Sequence, residues 1–543
     1  MHISRSIVRH LRVSTFNPGG RRGRVYKRRL GFPEHSQTFL AGGGRLIVRG
    51  QRWRLLAAGD NMGYKKRLGF GTFLTVLIVL AAIYYRNTDD VLQKRLLTLL
   101  HGLERLENKH VITRRPKVAI GYGVCTDVFI DAKHLLKYSD EIGRPQHFDE
   151  INTELELLKS FAYYFRHGAA AERYMANRTL FDELVSKARS FPSSYSTIGG
   201  NAAVMAMRFA REGCDVTLAA KMTRSLHQMI PQVINIVGGE VKRDDIHLIM
   251  EYKHGEVWGP YSSARANRYI VHNDVNNPMI SSFSAFDKVL GTYDPDLLVV
   301  SGLQMMDNYP FREDKRKNLL INVKKQMVER PSSTRIHFEM ASFAEDKLLF
   351  ELCDLVVPFA DSLGMNEQEI ANLYNTMYYG NISLVANSTP RVATVLDQMR
   401  TLFKLIRLRG KSIANSRELT RIHVHTLAYQ AIFTVKDSVW KNTMAAAAKA
   451  SLTAHRHVCA SSNVDVKKAT LIMDDSFSTS SVAGTRIALN IDKPVSCWDE
   501  TLKVEQDEIS VQVCVAPVLV CTQASQTAGG GDNISSAGLV LQI

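Results

Sequence analysis

From about residue 117 onward, short apolar runs ending in glycines or acids alternate with helical stretches, a pattern that restricts the chain to a largely parallel α/β sheet. Strand-like runs fall at residues 117–127 (a strand ending in a glycine turn and an acid), 215–220, 246–252, 268–272, 296–302, 335–339, 355–358 and 421–425. Residues 149–190 and 202–212 read as helical. In such a sheet ligands bind beyond the carboxyl ends of the strands, where the polar residues of these runs lie. With 543 residues, one large domain with a smaller partner is expected.

The net charge of +16 is concentrated at one end. Residues 1–61 carry thirteen Lys/Arg against Glu34 and Asp60, so the remainder lacks the basic excess expected of a nucleic-acid binder. Next comes Lys65-Lys66-Arg67, followed by eighteen uncharged residues, 68–85. As a helix that run reaches about 27 Å, the thickness of a thin bilayer. It is expected to be a signal-anchor or signal peptide (62–88), with the basic end cytoplasmic and the body in the endoplasmic-reticulum lumen, or secreted after cleavage. Translation from Met62 would make residues 1–61 an untranslated or disordered leader. Residues 89–114 are expected to form a linker or stalk helix. The seven cysteines show no metal spacing, and their odd number precludes complete internal pairing but allows one or two disulfides.

Several residues carry candidate chemistry. Gly529-Gly530-Gly531-Asp532 lets the backbone approach a ligand as a helix begins, with free N–H groups for a phosphate and a carboxylate able to take a proton. A capped turn explains the fragment equally well. Asp127, after a Gly-x-Gly strand end, and Gly200-Asn201 at a helix start can meet a polyhydroxy ligand. His337 and Glu339 share a strand face, and Asn366 and Glu369 align at a helix start, where an N-cap is an equal explanation. Two carboxylates reaching one cleft suit Mg²⁺. Arg265 and Arg268 are candidates for a phosphate clamp, and His423 and His425 for a base pocket; surface arginines and structural histidines are the plain alternatives.

Taken in order, Gly199-Gly200-Asn201-Ala202, His337-x-Glu339, Asn366-x-x-Glu369 and Gly529-Gly530-Gly531-Asp532 resemble the motifs of the ADP-dependent glucokinases of the ribokinase-like superfamily. The stretches VSGLQMMDN, HFEMASFAE, ADSLGMNEQE and RIHVHTLA are similar to its animal branch. The resemblance covers residues 115–543. It implies a Rossmann-type α/β large domain with a smaller β-rich lid, drawn mainly from the first third of the catalytic region and including strands near 215–272. It also implies transfer of the β-phosphoryl group of ADP to the 6-hydroxyl of D-glucose by a monomer that needs Mg²⁺. Asp532 would then be the base and a metal-site member with Glu339 and Glu369. Gly529, Gly530, Gly531, Arg268, Asn366, His423 and His425 would face the nucleotide and its phosphates. Asp127, Gly200 and Asn201 would hold the sugar, with Glu172 as the acid that selects glucose. An ATP-dependent sugar or nucleoside kinase and a catalytically dead membrane-tethered binding protein are the rival readings.

Overall fold

The computed structural model describes residues 61–110 and 114–543, with the side chains of 61–72 and 83–88 also outside the description. The chain divides into residues 1–77 and 78–543. Everything below concerns the second unit unless stated. Residues 1–60 of the leader lie outside the described residues, as do eight of the eighteen side chains of the apolar run; the proposed start at Met62 lies in the described backbone of the helix Asn61–Asn108.

The large sheet runs, in spatial order, through Ser496–Val504, Asp507–Pro517, Tyr429–Val435, Arg421–His425, Ser362–Asn366, Arg335–Glu339, Leu297–Val300, Lys117–Gly121, Asp215–Ala219 and Ile234–Val237. From Arg421–His425 to Ile234–Val237 every neighbouring pair is parallel. These strands are buried by helices on both faces, which is why they read as continuous apolar runs. The remaining three strands form an antiparallel extension. Glu339, Asn366 and His425 each end a parallel strand, so all three reach the same edge of the sheet.

The smaller sheet has the order Glu150–Ile151, Ala171–Met175, Asn267–His272, Ile246–Tyr252, Cys125–Asp131 and Tyr195–Gly199. Its alternation is two-sided. Val128, Ile130, Leu248, Met250, Tyr269 and Val271 join one core cluster, while Phe129, Ile249 and Ile270 pack against Ala528 on the opposite face. The lid's second face is therefore turned toward the C-terminal glycine loop.

Three expectations change. Asp215–Ala219 belongs to the large sheet and not to the lid, because it pairs with Lys117–Gly121. The apolar run at 355–358 is the end of the helix Asp346–Leu355 and a 3₁₀ turn, Val357–Phe359; the strand is the less apolar Ser362–Asn366. The supposedly helical stretch 149–190 is interrupted by Ala171–Met175, which places Glu172 on a strand. The segment expected as a linker or stalk helix is helical to Asn108 and packs on the body. Leu96, Leu99, Leu100 and Leu103 are buried in a core cluster with Ala445 and Leu452, and Glu107 pairs with Arg456 at 2.8 Å.

Two disulfides form, Cys459–Cys521 and Cys497–Cys514; Cys125, Cys214 and Cys353 are free and buried. Because Leu99 has no exposed surface, Leu99→Ala is expected to destabilise the body by about 2–5 kcal/mol in chemical denaturation. A change under about 0.5 kcal/mol would mean that this helix is not integral to the fold.

Candidate active site

The last helix, Gly530–Val540, is entered through Gly529 at φ +68°, a left-handed conformation that a side chain disfavours. Asp532 lies in its first turn, buried, and its Oδ1 accepts a hydrogen bond from Asn201 Nδ2 at 2.9 Å. Asn201 opens the helix Asn201–Arg211, and its carbonyl accepts from Gln304. The two glycine turns, 331 residues apart, thus meet at one carboxylate.

Glu339 and Glu369 approach the same centre. Glu339 Oε2 accepts from His337 Nε2 at 2.7 Å and Ser535 Oγ at 2.6 Å. Its other oxygen faces His425 Nε2 at 3.7 Å, a charge contact too long for a hydrogen bond. A Cβ on Gly364 would overlap Glu339 Oε2 and Ser535 Oγ, so only glycine lets the acid sit there. Behind it His337 Nδ1 meets Ser362 Oγ at 2.8 Å, Ser362 accepts from Arg421 at 3.0 Å, and Arg421 Nε donates to Gln542 at 2.7 Å. Glu369 is gripped by Asn366, whose backbone N–H and side-chain amide donate at 2.8 and 2.7 Å.

The three acids feel one another. Burial pushes Asp532 up to about 7, with Glu339 repelling its charge and Asn201 and His425 opposing the shift. Burial likewise pushes Glu369 to about 7, helped by Glu339 and Asp532. Glu339 goes the other way. Burial would raise it, but its histidine neighbours, with His337 donating a hydrogen bond, bring it to about 2. Burial also opposes charge on His425, yet Glu339, Glu369 and Glu367 raise its pKa. An all-oxygen set of mutually repelling buried carboxylates fits a hard divalent cation.

On the lid, Asp127, His247 and His272 are direct cross-strand neighbours on one face. Burial pushes Asp127 up to about 6, moderated by His247. His247 Nδ1 stands 3.4 Å from Glu172, so the three side chains form a compact polar cluster. Arg268, on the same face, has a buried Nε with no hydrogen-bond partner and acts electrostatically on both Asp127 and Asp532. Glu251 ties the lid to the glycine loop by accepting from Thr527 Oγ1 at 2.6 Å.

Comparison with known proteins decides the family. A family model, ADP-specific Phosphofructokinase/Glucokinase conserved region, matches residues 116–541. The chain belongs to this family. An ADP-dependent glucokinase of Bos taurus is 33% identical over 429 residues, covering 78% of this chain and 84% of the bovine one. A probable ADP-dependent glucokinase of Caenorhabditis elegans is 27% identical, covering 78% and 84%. Among solved structures, an ADP-dependent kinase in complex with fructose-6-phosphate and ADPβS aligns with a TM-score of 0.57 at 16% identity, over 83% of this chain and 97% of that one. The fold is the expected α/β large domain with a lid.

In this family member the structure brings Asp532, Asn201, Glu339, Glu369 and His425 together, and gathers Asp127 and Glu172 on the facing lid. Gly529, Gly530 and Gly531 are half-buried beside them, and Gly200 precedes Asn201 with φ +86°. Three candidates are placed otherwise. His423 is wholly buried, its Nε2 3.1 Å from Gln430 and its ring against Gly538, so it faces the core and no open cleft. The amide of Asn366 is engaged in the helix cap, its oxygen accepting from Gln368 and Glu369 N–H, so it holds Glu369 in place of a ligand. Arg265 bonds Gly168 O, Ser388 O and Glu367, a bridge between lid and large domain and no phosphate clamp. The sequence reading missed His247, Gln304, Ser535 and Arg421, because strand register and helix packing bring them in. Two-residue alternation within the strand that carries His247 was the available signal; its pairing with Asp127 is set by register.

The pKa shifts have a stability consequence. Asp532 and Glu369 have ordinary values of 3.8 and 4.5 but about 7 when folded, so the fold binds extra protons between these limits. Stability from these groups therefore falls as pH rises from about 4 to about 7, and a cation that binds the ionised acids offsets the loss. Glu339, depressed to about 2, has the opposite sign but acts below that window. A divalent cation should raise the melting temperature more at about pH 8 than at about pH 5.5. An equal shift at both would refute cation binding by these acids.

Proposed function

We propose that the protein transfers the β-phosphoryl group of ADP to the 6-hydroxyl of D-glucose, releasing AMP and glucose 6-phosphate. The observation that carries this reading is the Asn201–Asp532 contact. It joins the sugar-side turn to a carboxylate at the start of a glycine-led helix, where backbone N–H groups attract phosphate. Asp532 in its ionised form takes the hydroxyl proton as the oxygen attacks phosphorus, and Asn201 orients it. Arg268 and the N–H groups of Gly529–Asp532 neutralise charge on the transferring group, in a reaction that gains mostly from positioning and electrostatics. Glu339, Glu369 and Asp532 would hold Mg²⁺, which supplies charge neutralisation on the phosphates. The lid face packed on Ala528 excludes water that would otherwise compete as acceptor.

The acidic pair Asp127 and Glu172 supports a neutral sugar over a sugar phosphate, since a second anion would be repelled there. ADP as donor is supported by the family and its named relatives. The purified protein with glucose and Mg²⁺ should yield glucose 6-phosphate from ADP and far less from ATP; no product from ADP would defeat the proposal. Asp532→Asn should keep the melting temperature within a few degrees and lower kcat by about 10³-fold or more. Near-normal turnover would remove Asp532 from the base role.

We also propose that the segment 68–85 anchors the protein in the endoplasmic-reticulum membrane with its body in the lumen. Among the described residues no helix is long and apolar enough to cross a membrane. Every described side chain of 73–82 is nonetheless exposed, including Phe73, Leu74, Val76, Leu77 and Ile78, which lipid would cover. The two disulfides suit an oxidising compartment. In sealed microsomes the body should resist added protease until detergent is present; digestion without detergent would reverse this placement.

A further inference from the structure

We propose that Asp274 is a positioning residue that fixes His247 as a doubly protonated donor between the two acids of the sugar pocket. Its carboxylate has no exposed side-chain surface, and its Oδ2 lies 3.1 Å from His247 Nε2. The opposite ring nitrogen, Nδ1, faces Glu172 Oε1 at 3.4 Å. The Glu172 contact is a charge contact, but a neutral imidazole carries only one N–H and would leave one of these carboxylates facing a lone pair, so an acid on each side favours protonation of both nitrogens.

Asp274 is itself held rigidly. Asn277 Nδ2 donates to it at 2.7 Å, and the turn that carries both is pinned by Asp245, which accepts from the N–H groups of Val275, Asn276 and Asn277. Its remaining oxygen faces His272 Nδ1 at 3.5 Å with no hydrogen bond formed. The groups around His247 are therefore Asp127 and Cys125 on one neighbouring strand, His272 on the other, Glu172 one strand beyond, Asp274 after the turn, and Arg268 acting on Asp127. Burial alone would discharge His247, but Asp274, Glu172 and Asp127 raise it to about 10. Burial alone would likewise raise Asp274, and its two histidines pull it well below the usual carboxylate range.

The consequence is for the sugar. An imidazolium whose two nitrogens face Asp274 and Glu172 fixes the position of the Glu172 carboxylate and sets a positive charge beside Asp127, where hydroxyls would bind. Removing Asp274 lets His247 fall toward its ordinary value, so sugar binding acquires a pH dependence that the wild type lacks.

The inference rests on the glucokinase reading of this site, and the test separates the two. Asp274→Asn should raise the KM for glucose about tenfold or more at about pH 8 while leaving the KM for ADP within about twofold. Its kcat/KM for glucose should fall as pH rises through about 6.5 to 7.5, where the wild type shows no descending arm. His247→Gln should match it, and the double variant should be no worse than the poorer single one, since Asp274 acts only through His247. If the variants do not fold, imidazole NMR of the wild type should show His247 protonated at both nitrogens from about pH 6 to 8. An unchanged glucose KM, additive losses, or a neutral His247 would overturn the inference. So would one equivalent of zinc per purified chain, because His247, His272 and Asp274 lie within 4.8 Å and a metal would then orient the ring. A wild type that makes no sugar phosphate from ADP would instead remove the functional reading.

Discussion

Three carboxylates, Asp532, Glu339 and Glu369, are buried within electrostatic reach of one another, and much of the structure exists to keep them there. Like charges in a dry interior repel strongly and protonate unless something compensates. Each acid is held by a different device. Glu339 leans on the chain His337–Ser362–Arg421–Gln542, Glu369 is locked into the helix cap of Asn366, and Asp532 is tied to Asn201. These devices come from separate parallel strands and from the final helix, which converge because parallel strands deliver their carboxyl ends to one edge.

The lid repeats the same physics with the opposite remedy. Asp127 is also a buried acid and Glu172 a half-buried one, yet their countercharge is internal, an imidazolium supplied by His247 with Asp274 behind it. On the large-domain side of the cleft the carboxylates leave negative charge that a cation can offset, whereas on the lid side His247 and Arg268 already stand among the acids. Glu251 and the apolar patch on Ala528 hold the two sides together around it.

Much of this was legible beforehand, for identifiable reasons. The strands at 246–252, 335–339 and 421–425 were found within their observed bounds, because apolar alternation and strand-end polar residues are local properties. The errors had local causes too. The run 355–358 is apolar because a helix end is buried there, and burial alone does not separate a strand from a helix. Asp215–Ala219 carries no mark telling one sheet from another, since its neighbour is chosen by a crossover. His423 and His425 look alike in sequence, but only one of the two faces Glu339, because the strand buries the other beneath Gly538.

The sequence by itself determined the α/β class, the glycine-led start of the final helix, and the acids available for chemistry, because strand period, helix capping and glycine conformation depend on residues close in the chain. The tertiary structure alone decided which of those groups meet. The Asn201–Asp532 bond, the row Asp127–His247–His272 and the docking of residues 96–107 all depend on strand register and packing between segments far apart in sequence. Whether an acid is charged, and therefore what it can do, follows from its burial and its neighbours, and these exist only in the folded chain.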